Sequence, residues 1–89
     1  MKAFITVIGK DKIGIIHGVT SVLKNHYVNV LDINQTLLQD FFTMIMLVDL
    51  DLMDIGFKEL KEILSAAGND IGVSIKIQHE ELFNSMHKI

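Results

Sequence analysis

At 89 residues the chain has room for one domain, and a domain of this size buries only roughly 60–65% of its unfolded surface. Apolar residues make up 49% of it, with six Gly besides and no Pro or Trp; one copy hides so much apolar surface poorly, which predicts self-association. A formal net charge of −3, no Arg and eight scattered Lys exclude nucleic acid as a direct partner, since phosphate binding needs a basic stripe.

The chain has no Cys, so disulfides and thiol chemistry are excluded and a cytoplasmic home is expected. Met1-Lys2-Ala3-Phe4 moves straight into strand alternation without a signal-peptide layout. The longest apolar run, Met44 to Val48, is far too short to span a bilayer, so no membrane partner is expected.

Residues 2–9 alternate, with apolar side chains on both faces apart from Thr6, the pattern of a central strand. Val7-Ile8-Gly9-Lys10-Asp11-Lys12-Ile13-Gly14-Ile15-Ile16 then reads as a strand–turn–helix junction. The strand ends at Gly9, a short charged loop follows, and Gly14 opens an apolar helical pattern. The N–H groups of such a loop and helix N-terminus suit an anion, for example a carboxylate. Residues 14–27 keep a helical period, with Ile15, Ile16, Val19, Val22, Leu23 and His26 on one face.

Residues 28–39 read as a second strand, with Val28, Val30, Asp32, Asn34, Thr36 and Leu38 pointing one way and Asn29, Leu31, Ile33, Gln35, Leu37 and Gln39 the other. Gln39-Asp40 suits a tight hairpin turn. Residues 41–50 form the most apolar strand, with Phe42, Met44, Met46, Val48 and Leu50 on one face and Phe41, Ile45 and Leu47 on the other. Asp54 suits the cap of a second helix, whose apolar stripe is Phe57, Leu60, Ile63, Leu64 and Ala67 and whose end falls at Gly68-Asn69-Asp70. Residues 73–79 form a last strand with Val73, Ile75 and Ile77 inward. Residues 80–89 fit a short helix, with Leu82, Phe83, Met86 and Ile89 at helical spacing.

This order predicts an α+β, ferredoxin-like βαββαβ sandwich: a four-stranded antiparallel sheet with two helices on one face and a short C-terminal helix. It forms a single domain over 1–89, with the βαββαβ core in 1–79 and the tail in 80–89. The first and third strands are the most apolar and belong in the centre; the second and fourth belong at the edges. Two helices cover one face only, and the other still bears apolar residues from the first three strands, which predicts a homodimer or higher oligomer.

The fold hosts many functions, so function rests on the site. A copper chaperone of this fold needs a Cys pair in the first loop, and an acylphosphatase needs an Arg there; the chain has neither. An RNA-recognition motif needs basic charge beside its exposed rings. His17, His26, His79 and His87 share no metal-ligand spacing, and no Ser stands in a Ser–His–acid set, so neither a metal, nor a cofactor, nor catalysis is expected.

Gly9-Lys10-Asp11-Lys12-Ile13-Gly14-Ile15-Ile16, then Val19, Leu23 and Val28-Asn29-Val30-Leu31-Asp32-Ile33, resemble an ACT domain, a small regulatory module that binds amino acids and related metabolites. Within that family the chain is most similar to the stand-alone ACT proteins of bacteria and archaea and to one half of the glycine cleavage repressor. The resemblance covers essentially the whole chain. It implies a ligand held between two domains, by the first loop of one and the start of the second strand of its neighbour. Carried over by position, the loop side is Asp11, Lys12, Ile13, Gly14 and Ile15, and the facing side is Asn29, Val30, Leu31 and Asp32. Backbone N–H groups near Gly14 would take a carboxylate, Asp11 or Asp32 an ammonium, and Asn29 would donate and accept.

Each residue also has a plainer role open to it. Gly14 suits a close helix–strand approach, Asp11 suits a helix cap, and Asn29 and Asp32 suit ordinary polar positions of an edge strand. The expected function is a non-enzymatic regulatory module that dimerises, binds an amino acid or similar small carboxylate at the subunit interface, and is read by a regulated partner protein. The competing expectation is a ligand-free protein–protein interaction module that uses the exposed sheet face or an edge strand.

Overall fold

In the computed structural model, which describes residues 1–10 and 12–81 and only the backbone of Lys12, the alternation over 2–9 becomes β1 (Lys2–Gly9). It is followed by α1 (Lys12–Asn25), β2 (Asn29–Leu38), β3 (Phe41–Asp49), α2 (Phe57–Ile71) and β4 (Ser74–His79). The four strands form one antiparallel sheet in the order β2-β3-β1-β4, so the two most apolar strands are central as their composition requires. This is the ferredoxin-like arrangement. Of the expected tail, Glu80 and Glu81 are helical, and Leu82, Phe83, Met86 and Ile89 lie outside the described residues.

The core lies between the sheet and the two helices. Ala3, Ile5 and Val7 of β1, Phe42, Met44, Met46 and Val48 of β3, and Ile77 of β4 are buried on one side of the sheet. Ile15, Val19 and Leu23 of α1 and Leu60 and Leu64 of α2 close over them. Each helix therefore buries a stripe at i, i+4, as expected for a helix packed by one face. Gly9 sits where β1 is closely overlaid: a Cβ built there would lie 2.2 Å from Val73 Cγ1 and 2.9 Å from Ile15 Cδ1. Gly68 plays the same part on α2, where a Cβ would lie 2.8 Å from the Val73 carbonyl. α2 runs through Gly68-Asn69-Asp70, where the sequence predicts its end, to Ile71, and the left-handed Gly72 ends it.

Three local expectations are corrected. Asp54 does not cap α2: Gly56 is the N-cap, with no side-chain bond, and Asp54 Oδ1 instead lies 2.9 Å from His26 Nδ1, tying the end of α1 to the loop before α2. The helix predicted over 14–27 sits two residues earlier. The simple alternation read along β2 fails at a bulge between Val30 and Asp32. Val30 stands opposite Val48, and Ile33 opposite Met46, so both face the helices, while Asn29, Asp32 and Asn34 face the other way. One extra residue shifts the pleat and keeps Val30, Ile33 and Leu37 on one side.

Both helices end in the same hydrogen-bonded motif, with different residues at the left-handed position. In α2, Gly72 (φ 72°) donates to Asn69 O and Val73 donates to Gly68 O. In α1, Tyr27 (φ 60°) donates to Lys24 O at 3.4 Å and Val28 donates to Leu23 O at 2.9 Å. Glycine is the usual occupant of this position. Tyr27 is 67% exposed, so its side chain recovers little burial. Tyr27→Gly is expected to stabilise the fold by about 1 kcal/mol, a rise of roughly 4–8 °C in Tm for a domain of this size, measurable by thermal denaturation followed by circular dichroism.

Candidate functional site

The loop half of the expected site lies at one end of the sheet. Gly9 pairs with Phe42, which pairs with Leu37, so the loop that follows β1 sits beside the β2–β3 hairpin. Lys10 Nζ lies 5.4 Å from the centre of the Phe41 ring, a cation–π contact that places the loop there. Lys12, Ile13, Gly14 and Ile15 form the first turn of α1, which holds no acidic side chain. Ile13 is 81% exposed, whereas the side chain of Ile15 is fully buried in the core and only its backbone remains for a ligand. Asp11 lies outside the described residues.

The strand half lies at the other end. Asn29 pairs with Asp49, which pairs with Lys2. Lys2 and Gly9 bound β1 and are seven residues apart, so the two halves of the site are separated within one chain by about 23 Å. Asn29 and Asp32 are exposed, Val30 is half-buried, and Leu31 stands at the bulge, 43% exposed. Asp32 Oδ1 accepts the Ile33 N–H at 2.9 Å, which fixes its carboxylate beside the bulge. The bulge turns Asp32 onto the same side of the sheet as Asn29.

Beside Asn29 is a hollow of about 340 Å³, lined by Lys24, Tyr27, Val28, Asn29, Asp49 and Leu52. Sequence reasoning singles out only Asn29 of these as a ligand contact. Lys24 and Tyr27 arrive through the end of α1, and Asp49 through the hairpin register, which the unforeseen bulge shifts by one residue. The hollow sets an ammonium and a carboxylate around an aromatic ring and an amide, groups that suit a small zwitterion. Among the described residues no set of three His, Asp or Glu side chains could hold a metal ion, and no helix is long and apolar enough to cross a membrane.

The same end of the sheet carries an ion pair. The Met1 ammonium meets Asp51, and Asp51 N–H donates to Asp49 Oδ1 at 2.9 Å. The hydrogen bond with Asp51 raises the Met1 amine above its usual 8.0, and the same bond lowers the Asp51 carboxyl below 3.8. A raised amine stabilises the fold below pH 8.0 and loses that contribution as pH rises through its folded value. A lowered carboxyl stabilises above pH 3.8 and loses its contribution as pH falls. Asp51→Asn is therefore expected to flatten the two flanks of a Tm-against-pH curve, by a small amount because both groups are exposed.

The fold has counterparts in known proteins. The family model of the ACT domain matches residues 2–78. A UPF0237 protein of Clostridium acetobutylicum is 55% identical over 89 residues, 100% of each chain. Among solved structures, an ACT domain protein from Streptococcus pneumoniae is similar with a TM-score of 0.81 and 40% identity over 98% of each chain. A putative glycine cleavage system transcriptional repressor shares the fold, with a TM-score of 0.72 and 19% identity, over 86% of this chain and 44% of that one. With the βαββαβ order, the sheet order and a family match over nearly its whole length, the chain belongs to the ACT domain family.

Proposed function

We propose that the protein is a non-enzymatic regulatory module that binds an amino acid or similar small carboxylate at an interface between two copies. Membership of the ACT family supports a regulatory, ligand-binding role in general. The observation that carries the finer reading is the separation of Asp11–Ile15 from Asn29–Asp32 at opposite ends of the sheet. A second chain that runs antiparallel to the first brings two such halves together.

The β2 edge supports that pairing. Natural edge strands are shielded by short length, charge or proline. β2 has ten residues, one charge (Asp32) and no Lys, and Leu31, Ile33, Leu37 and Leu38 along it are all exposed. Two β2 strands paired antiparallel across a two-fold axis set Asn29 of one copy beside the hairpin end of the other, where the partner's first loop lies. The facing halves are then within about three strand spacings, ~14 Å, a gap that loop, helix terminus and ligand fill together. The carboxylate of the ligand meets the α1 N-terminus of one copy, and its ammonium meets Asp32 or Asp49 of the other. Occupancy then changes how two subunits pack, a difference that a partner protein reads.

Isothermal titration of the full chain with each of the common amino acids tests this. Heat and a rise in Tm with one or a few of them are expected; no heat and no shift with any of them would overturn the reading.

A further inference from the structure

The second edge of the sheet differs from the first. Between α2 and the outer side of β4 runs a continuous trough, formed by two adjoining hollows of about 570 and 370 Å³ that share Ser65, Ile75 and Lys76. Its helix wall is one face of α2: Phe57, Lys61, Ser65 and Asn69 at intervals of four. Its other wall is β4 along its whole length. The trough is therefore as long as the strand, about 20 Å. Ile75 and Ile77 give it an apolar floor, and Phe57 stacks on His79 at 3.9 Å to close one end.

Two facts restrict what fits there. β4 is an edge strand of an antiparallel sheet, so alternate residues aim N–H and C=O outward along the trough, ready to pair with an extended chain. The charge along the trough is also of one sign. Lys61 stands on the α2 wall, and Lys76, which alternates with the inward Ile75 and Ile77, projects from the other face of β4; no carboxylate lines the trough, on a chain whose formal net charge is −3. Among the described residues neither lysine makes an ion pair. Glu80 and Glu81 lie past its end, beside a separate hollow with Met1 and Lys2.

We propose that this trough docks an extended acidic segment of another protein, which adds to β4 as a further strand and sets carboxylates on its two faces, one against Lys61 on the helix side and one against Lys76 on the other. A second copy of the chain is a poorer occupant. Two β4 strands paired across a two-fold would bring both lysines of each copy together, and like charges facing one another oppose association. The sheet thus has an unshielded edge, β2, for self-pairing and a cationic one, β4, for a partner of opposite charge. The proposal stands on β4 and α2 alone and does not depend on any ligand at the other edge.

Selection of a random-heptamer phage library on the full chain tests it. Enrichment of peptides rich in Asp and Glu is expected. A synthetic copy of one should shift β4 and α2 amide signals in a ¹⁵N spectrum, and Lys61→Glu with Lys76→Glu should weaken it by about tenfold or more. No enrichment, enrichment without acidic bias, binding unmoved by charge reversal, or shifts confined to β2 would each overturn the proposal. So would a change of oligomeric state in the charge-reversed variant, which would make the trough an interface between copies.

Discussion

Gly9→Ala is expected to lower the thermal midpoint by roughly 10 °C. The Cβ it introduces would stand 2.2 Å from Val73 Cγ1, 2.8 Å from Val73 Cβ and 2.9 Å from Ile15 Cδ1, all closer than carbon atoms approach. Rotation of one side chain does not relieve this, because the clash reaches the branch carbon of Val73 as well as its methyl. Val73 is in turn held by its N–H bond to Gly68 O at 2.9 Å, and Ile15 is fully buried. Overpacking of this kind costs about 1–3 kcal/mol, and each kcal/mol is worth roughly 4–8 °C in a domain this small. Denaturation of both variants, followed by circular dichroism, checks the size of the effect. Gly56→Ala is the control: a Cβ there meets nothing within 4 Å, so no comparable loss is expected.

Ile33→Lys with Leu37→Lys is expected to leave the chain folded and to separate it into monomers. Ile33 is 42% exposed and Leu37 68% exposed, so each gives up little buried surface when replaced. Paired β2 strands, by contrast, would place four new ammonium groups along one seam. Like charges set together at an interface cost several kcal/mol, which makes the dissociation constant larger by at least about 100-fold. Sedimentation velocity over a dilution series reads this directly. The same variant should lose the heat of ligand binding, since the loop half and the strand half no longer meet. Ser74→Lys, on the opposite edge, should leave the sedimentation profile unchanged.

Much of the fold was legible in the sequence because its signals were of the simplest kind. The strict alternation of Phe42, Met44, Met46 and Val48 matches their burial one for one. The apolar character of the first and third strands placed them in the centre. The β2 faces are not legible because a bulge leaves no mark on composition: Val30, Leu31 and Asp32 read as a regular strand, and only pairing with Val48 and Leu47 shows the extra residue. Tyr27 escapes a sequence reading for a related reason. A residue that takes φ 60° where glycine is usual sends no signal of its own, and the helical period runs on through it. Asp54 looked like a cap by residue type, but its carboxylate is engaged by His26, a contact between residues 28 apart that local reading does not reach.

The candidate site divides in the same way. The loop after Gly9 stood out by its glycines and charge, and the start of the second strand entered through a family resemblance. What neither carried was their distance. The register Lys2–Asp49–Asn29 against Gly9–Phe42–Leu37 sets them at opposite ends of one sheet, which supports the two-chain site that the family resemblance implies. Lys24 and Asp49, which border the hollow beside Asn29, are brought there by the end of α1 and by the shifted register.

The most direct measurement is a mixing experiment by isothermal titration, with an amino acid that the wild-type chain binds. One variant carries Gly14→Val, which damages the loop half; the other carries Asn29→Ala and Asp32→Ala, which damage the strand half. Each variant alone should bind nothing. After unfolding and refolding together in equal amounts, half the dimers are mixed, and each of these holds one site built from two intact halves. About one quarter of the wild-type stoichiometry should therefore return. Binding by either variant alone, or no recovery on mixing although mixed dimers form, would contradict a site shared between two chains.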